Sequence, residues 1–121
     1  METAFLLGCA AAVAWNGIVW AYGWRALEAR RWVARGALLV DARSVDEFAR
    51  GHVDGSVSFS AEGIAAQLDR APYRSAALPL GPHDRPIVVY SSSRARSAEA
   101  ARWLRRAGYH RVLDAGAMSS W

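Results

Sequence analysis

An uncharged stretch at the N-terminus restricts what this chain can fold into more than any other feature. From Thr3 to Trp24 there is no Asp, Glu, Lys or Arg, and Asn16 is the only strongly polar residue. A helix of about 22 residues reaches roughly 33 Å, enough to cross a hydrocarbon core about 30 Å thick. We therefore predict one transmembrane helix over residues 1–24 and a folded domain over residues 25–121.

The two ends of this stretch differ in charge, and the difference predicts its orientation. Glu2 precedes the stretch, whereas Arg25, Arg30, Arg31 and Arg35 follow it. Positively charged residues beside a membrane span remain on the cytoplasmic side. We therefore expect a single-pass protein of the inner (cytoplasmic) membrane, with its C-terminal domain in the cytoplasm.

The residues within the stretch favour contact with other membrane helices. Small residues, Gly8 and Gly17 among them, allow a second helix to approach closely. Trp20, Tyr22 and Trp24 cluster at the C-terminal end, where amphipathic rings settle at the level of the lipid headgroups. Other membrane-protein subunits are therefore the partners that we expect.

Three other interpretations of the stretch fit less well. A cleaved signal peptide begins with basic residues, and this chain begins Met-Glu-Thr without one. A lipoprotein signal ending at Cys9 leaves only eight residues before the cysteine. A buried core helix is the remaining alternative, although a domain of about 90 residues hardly covers a helix that is apolar on all sides.

Charge and cysteine usage exclude several classes of function. The formal net charge is +4, and every one of the 15 basic residues is an arginine. Because the arginines are interleaved with Asp and Glu, no basic stripe of the kind that binds nucleic acid forms. Cys9 is the single cysteine, and His52, His83 and His110 lie far apart. We therefore expect no disulfide, no metal site and no cofactor.

Short apolar segments alternate with helical patterns in the rest of the chain. Strands are predicted over residues 37–41, 56–59, 86–90 and 111–114. Helices are predicted over residues 26–34, 45–50, 62–68 and 97–107, with Ser44 capping the second of them and a Pro-rich loop over 71–85. This alternation is typical of an α/β domain in which helices flank a mostly parallel sheet.

Five short motifs follow one another along these elements. They are Leu38–Arg43 with its Asp-x-Arg ending, Glu47–Phe48 with Gly51–Ser56, Val88–Ser91 with Arg96–Ser97, Ala107–Tyr109, and Gly116–Trp121. In this order and spacing they resemble the rhodanese family over roughly residues 26–121. Two positions depart from the family pattern: Ser91 stands where the family has its nucleophilic Cys, and Arg94 stands where the motif usually has Gly.

The resemblance implies an anion-binding loop between a strand and a helix. Our candidate site is this six-residue loop, Ser91, Ser92, Ser93, Arg94, Ala95 and Arg96. In family members the backbone N–H groups and the helix N-terminus there turn the cysteine into a thiolate, which carries sulfur as a persulfide. Sulfate, thiosulfate and phosphate are the expected ligands. A flexible turn with solvated arginines is the alternative interpretation.

A serine in this loop closes the sulfur-transfer route on chemical grounds. Ser91 has no sulfur atom to hold the persulfide, and its hydroxyl needs a neighbouring base before it attacks anything. His52 is the only candidate base, and the resemblance makes it structural. We therefore predict no catalytic residue.

Several other residues are expected to be structural. Asp41 and Arg43 are predicted to form an ion pair or to cap hydrogen bonds. Trp103 and Leu104 are predicted to lie in the core, and Trp121 to pack against the domain.

The function that these features predict is that of a membrane-anchored rhodanese-like protein which is inactive as a sulfurtransferase. It would act as a protein-interaction module or as an accessory subunit of a membrane complex. One alternative is a sensor domain for a small anion, and another is an enzyme of the thiosulfate sulfurtransferase type.

Overall fold

The computed structural model describes residues 24–70 and 80–121 of the chain. The helix predicted to span the membrane lies outside the described residues except at its last position, and so does much of the loop predicted over 71–85. Among the helices that are described, none is both long enough and apolar enough to cross a membrane.

In the described residues, a parallel sheet of four strands in the order β2–β1–β3–β4 forms the centre of the domain. The strands are β1 (Leu38–Asp41), β2 (Val57–Ser58), β3 (Ile87–Ser91) and β4 (Val112–Ala117). Every residue of β3 is buried, as expected for an apolar strand with a neighbour on either side. The sheet confirms the α/β prediction and all four predicted strands.

Helices cover both faces of this sheet. The helix α1 includes residues 24–34, and the others are α2 (Val45–Arg50), α3 (Ala61–Arg70) and α4 (Arg94–Arg106); a 3-10 turn (Met118–Ser120) follows β4. Ala29 of α1 packs into the apolar cluster on one face of the sheet. Ile64 of α3 and Leu104 of α4 pack into the cluster on the other face. The four predicted helices are therefore confirmed.

The alternation of side chains along the strands assigns residues to the two faces. Leu39 and Val88 belong to the cluster on the α1 side, whereas their neighbours Val40 and Val89 belong to the cluster on the α3 and α4 side. Both sets are almost completely buried. The predicted core positions are also confirmed, because Leu104 is fully buried and Trp103 packs against the same cluster.

A capping box begins α2, as the sequence predicts at Ser44. The Ser44 hydroxyl accepts a hydrogen bond from the Glu47 backbone N–H at 3.2 Å, and the Glu47 carboxylate accepts one from the Ser44 backbone N–H at 3.4 Å. Two backbone donors that the helix leaves unpaired are satisfied in this way.

Helix α4 begins three residues earlier than the sequence predicts, at Arg94 instead of residue 97. Ser93 causes the difference, because its hydroxyl accepts a hydrogen bond from the Arg96 backbone N–H at 3.2 Å and so caps the helix. Ala95 and Arg96 are good helix formers and extend the first turn. Half of the predicted loop is therefore helical.

Strand β4 continues three residues beyond its predicted end. Its pairing with β3 shifts by one residue, so that Val89 pairs with Asp114 but Tyr90 pairs with Gly116. Gly116 has a φ of 81°, a conformation that glycine adopts without strain. The Asp114 carboxylate accepts a hydrogen bond from the Gly116 N–H at 2.9 Å and supports this bulge.

Candidate functional site

The connection between β3 and α4 places the predicted site residues together at one end of the sheet. Ser91 is the last residue of β3, Ser92 and Ser93 form the turn, and Arg94 opens α4. The first turn of a 13-residue helix therefore follows directly on the buried strand end. Such a helix start carries partial positive charge and unpaired backbone N–H groups.

Ser91 is the one predicted site residue that is completely buried. Its hydroxyl has no hydrogen-bond partner among the described residues. A buried hydroxyl without a partner is unfavourable, and such groups in folded proteins call for an explanation. No side chain among the described residues lies within hydrogen-bonding distance of this hydroxyl to act as a base.

The candidate base His52 makes its contacts elsewhere. Its Nδ1 atom lies 2.9 Å from the Phe48 carbonyl oxygen, and its ring stacks on the Phe48 ring with a centroid distance of 3.8 Å. These contacts hold the imidazole against the end of α2. They agree with the structural role that the sequence predicts for this residue.

The Arg96 side chain is engaged within the site. Its guanidinium donates to the Ser92 hydroxyl at 3.3 Å and lies 3.6 Å from the Glu47 carboxylate. More than half of the Arg96 side chain is exposed, so the ion pair with Glu47 contributes little to stability. Its consequence is electrostatic, because a cation that would otherwise attract an anion to the loop lies beside a carboxylate.

A depression of about 170 Å³ lies next to this pair. Its charged lining residues are one arginine and three glutamates, namely Arg96, Glu47, Glu62 and Glu99. An excess of carboxylates disfavours the approach of a second anion, because like charges repel each other strongly where they are partly shielded from water. The surroundings of the loop are therefore less suited to sulfate or thiosulfate than the number of arginines in its sequence indicates.

The Arg94 side chain lies over the end of β4. A Cβ atom placed on Gly116 would be 3.6 Å from the Arg94 Cγ atom, so the aliphatic part of Arg94 passes close to this glycine. The remaining predicted site residues, Ser92, Ser93 and Ala95, are exposed. The structure thus brings all six predicted residues into one region but buries only Ser91.

A second polar cluster, around Asp41, occupies the opposite face of the sheet. Asp41 and Tyr90 are paired positions on β1 and β3, and the Tyr90 hydroxyl donates to the Asp41 carboxylate at 2.7 Å. The Arg43 guanidinium donates to both oxygens of the same carboxylate, from Nη2 to Oδ2 at 2.8 Å and from Nε to Oδ1 at 3.1 Å, in a bidentate arrangement. The predicted structural ion pair of Asp41 and Arg43 is therefore confirmed.

The Tyr90 hydroxyl also connects this cluster to the segment between α2 and β2. It accepts a hydrogen bond from the Val53 backbone N–H at 3.1 Å and lies 3.2 Å from the Ser56 hydroxyl. By the alternation along β3, Tyr90 faces α1, whereas Ser91 points to the side that α3 and α4 cover. The cluster is thus part of the scaffold and not of the loop site.

Burial and hydrogen bonding act in opposite directions on the acid groups of this cluster. Burial raises the pKa of Asp41, but the hydrogen bonds from Arg43 and Tyr90 together outweigh it, so the pKa lies below its usual value. Burial also raises the pKa of the Tyr90 hydroxyl above its ordinary value. Asp41 is therefore ionised and Tyr90 neutral at neutral pH.

The sequence did not predict two polar contacts at this end of the domain, the hydrogen bonds of Tyr90 and the ion pair of Glu47. The one signal for Tyr90 was a residue with a polar tip in an otherwise aliphatic buried strand, since such hydroxyls usually find a partner. Glu47 was assigned only to the start of α2, and its contact with Arg96 joins residues far apart in the sequence. Within residues 24–70 and 80–121 no group of three or more His, Cys, Asp or Glu side chains is placed to hold a metal ion.

Comparison with known proteins identifies the family to which a chain with this fold and site belongs. The model of the rhodanese-like domain family matches residues 24–121. A protein of Allochromatium vinosum named sulfurtransferase is 34% identical over 85 residues, which cover 69% of this chain and 70% of the relative.

Solved structures show the same fold. A human single-domain sulfurtransferase superposes with a TM-score of 0.61 at 24% identity, covering 78% of this chain and 88% of the human one. A single-domain sulfurtransferase of Saccharomyces cerevisiae gives a TM-score of 0.55 at 19% identity, covering 70% of this chain and 72% of the yeast one.

Proposed function

The chain belongs to the rhodanese-like domain family, and from this premise we propose that it is a membrane-anchored member that does not transfer sulfur and acts as an accessory subunit of a membrane complex. The single observation that carries the proposal is the buried serine at position 91. A rhodanese-type reaction holds the transferred sulfur on a thiolate, and an alkoxide from serine does not replace it at neutral pH.

The surroundings of Ser91 support the inactive assignment. Its hydroxyl is buried and has no partner in the described part of the chain, so no neighbouring base is in place to deprotonate it. Arg96 lies between Ser92 and Glu47, and three glutamates surround the adjacent depression. An anionic sulfur donor would meet carboxylates on its way to the loop.

The sequence before α1 supports the membrane anchor. The uncharged residues from Thr3 to Trp24 lead directly into the first described turn of α1. The Trp24 side chain is 61% exposed, which is unusual for so large an apolar group on a domain surface but ordinary at a membrane interface. An anchor that continues into α1 keeps the domain close to the bilayer and to the other subunits.

An assay of sulfur transfer tests the inactive assignment. The purified full chain is incubated with thiosulfate and a thiol acceptor, and we expect no turnover above the uncatalysed rate. Turnover that disappears in Ser91→Ala contradicts the proposal outright, because it assigns chemistry to the hydroxyl.

Replacement by cysteine tests whether position 91 is what limits the chemistry. In Ser91→Cys the thiol lies in front of the first turn of α4, which favours the thiolate. We expect thiosulfate to add one sulfur atom to this variant, with sulfite as the leaving group, as detected by mass spectrometry of the intact protein. Ser92→Cys is the matched control, since it adds a thiol one residue away on the exposed turn.

Copurification tests the role as an accessory subunit. The full chain is extracted from its native membrane in a mild detergent, and associated proteins are identified by mass spectrometry. We expect at least one other membrane protein in stoichiometric amount. A monodisperse monomer without a partner contradicts the proposal.

Anion sensing is a second candidate, and the unpartnered Ser91 hydroxyl favours it because a bound anion would supply the missing acceptor. Sulfate, thiosulfate or phosphate would then raise the midpoint of thermal unfolding of the full chain. The same increase should be absent in Ser91→Ala. A midpoint that is equal with and without each anion removes this candidate.

A further inference from the structure

A basic groove beside the edge strand β4 has no role in the site described so far. It is a depression of about 560 Å³ between β4, the outer side of α4 and the start of α1. Three arginines line it, Arg25 from α1 and Arg102 and Arg105 from α4, with Asp114 as the one acidic residue. We call this depression the β4 groove.

Positive charge exceeds negative charge in the lining of the β4 groove, with three arginines and one aspartate. No ion pair joins its arginines to an acidic residue in the described segments. Arg105 donates a hydrogen bond to the Val112 carbonyl oxygen at 3.2 Å, an acceptor without net charge. The Asp114 carboxylate already accepts a hydrogen bond from the Gly116 backbone. The groove therefore presents guanidinium groups to any anion that approaches.

An exposed apolar pair lies on α1, the helix that contributes Arg25 to this groove. Trp24 and Leu27 are 61% and 46% exposed, and they are three residues apart on α1, so they share one face of the helix. Trp24 directly precedes Arg25, which lines the groove. Aromatic and aliphatic side chains beside arginines form the kind of amphipathic surface that binds at a bilayer interface.

We propose that the β4 groove, together with Trp24 and Leu27, docks the domain on the anionic phospholipid surface of the membrane that anchors the chain. The inference rests on the membrane anchor proposed above and extends it, because an anchor alone leaves the orientation of the domain open. Docking places the β4 edge against the lipid and leaves the β2 edge free for protein partners.

The charge and the position of the β4 groove favour a lipid surface over an acidic protein segment as its binding partner. Guanidinium groups bind phosphate oxygens in bidentate fashion, and phosphodiesters are the anions at highest density beside a membrane anchor. The groove begins at Arg25, which follows the uncharged stretch without any intervening residue that would lengthen the connection. An acidic peptide would account for the arginines but not for the exposed Trp24 and Leu27.

The test uses the full chain in nanodiscs of two compositions, phosphatidylcholine alone and equal parts of phosphatidylcholine and phosphatidylglycerol. Amide hydrogen exchange is measured by mass spectrometry. We expect slower exchange in β4 and α4 in the anionic discs, and equal exchange in β2 and α3 in both. Raising the salt from 0.1 M to 1 M shortens the Debye length from about 10 Å to about 3 Å and should remove the difference.

Arg102→Gln and Arg50→Gln form a matched pair of variants. Both remove one positive charge, but Arg50 ends α2 and is not among the residues that line the groove. One arginine near an anionic surface changes the equilibrium constant for binding to that surface roughly five-fold. We expect Arg102→Gln to reduce the lipid-dependent protection by about that factor, and Arg50→Gln to leave it unchanged.

The possible outcomes distinguish a failure of the membrane-anchor proposal from a failure of the docking inference. A chain that enters the discs but shows the same exchange in both lipids overturns the docking inference and leaves the anchor standing. A chain that does not enter either disc overturns both. Protection of β4 that depends on a copurified protein, and not on phosphatidylglycerol, overturns the lipid assignment in favour of an acidic protein segment.

Discussion

The Tyr90 hydroxyl is the contact whose removal most directly tests the Asp41 cluster. Tyr90→Phe deletes one donor to the buried Asp41 carboxylate and one acceptor for the Val53 backbone N–H. A hydrogen bond to a charged group contributes about 1.5–3 kcal/mol, and the unpaired N–H adds a smaller penalty. We expect the free energy of unfolding to fall by about 2–4 kcal/mol, a large part of the roughly 5–15 kcal/mol typical of such a domain.

Tyr109→Phe is the matched control for this change. Both tyrosines are fully buried and both rings remain in the variants, but the Tyr109 hydroxyl donates to the neutral Gly81 carbonyl oxygen at 2.6 Å. A neutral hydrogen bond contributes about 1 kcal/mol. Urea unfolding of the full chain in mild detergent at pH 7 should therefore show the larger loss for Tyr90→Phe.

The decisive measurement is how the loss of unfolding free energy in Tyr90→Phe and in Tyr109→Phe depends on pH. The pKa of Asp41 in the folded protein lies below its usual value of 3.8. The stability from its ionised form is therefore present above the unfolded pKa and is lost as the pH falls through the folded pKa. The penalty of Tyr90→Phe should shrink below about pH 4, while that of Tyr109→Phe stays constant there. Equal penalties at pH 7, or a difference that does not change with pH, would refute the reasoning.

Three further stability predictions use the same urea titration. Ser44→Ala should cost about 1 kcal/mol, because it removes the hydroxyl that caps α2; a cost near zero would mean that the cap is dispensable. Leu104→Ala should cost about 2–5 kcal/mol, since the side chain is fully buried, whereas the exposed Val45→Ala should stay within about 0.5 kcal/mol. Ser91→Ala should be neutral or slightly stabilising, because the buried hydroxyl has no partner in the described residues; a loss of about 1 kcal/mol or more would reveal a hydrogen bond there.

Local patterns predicted most of the fold because its elements begin and end at residues with strong local preferences. Ser44 and Glu47 specify a helix start within four residues of each other, and the apolar run before Ser91 specifies a buried strand. The start of α4 was predicted too late because all six residues from Ser91 to Arg96 were assigned to the loop that the family resemblance implies. Only the structure distinguishes Ser93, whose hydroxyl reaches the Arg96 backbone N–H.

The candidate site was predictable only in part, because its electrostatics depend on residues that are distant in the sequence. The positions of Ser91 and Arg96 followed from the resemblance to the family. The contact of Arg96 with Glu47, and the glutamates contributed by α3 and α4, depend on how three helices meet. No local pattern reports such an arrangement, and the arginine content of the loop alone indicated a more favourable anion site than the structure has.

The Asp41 cluster and Ser91 lie on opposite faces of the sheet. This separation explains why a resemblance can indicate the fold clearly without indicating the chemistry. The Asp41 and Arg43 motif forms its contacts on the α1 side, with Tyr90, and holds together β1, β3 and the segment before β2. Ser91 lies on the other side of β3, where its side chain forms no hydrogen bond within the described residues. The contacts that hold together β1, β3 and the segment before β2 therefore do not involve the side chain of residue 91, and a serine there is compatible with an intact rhodanese-like domain.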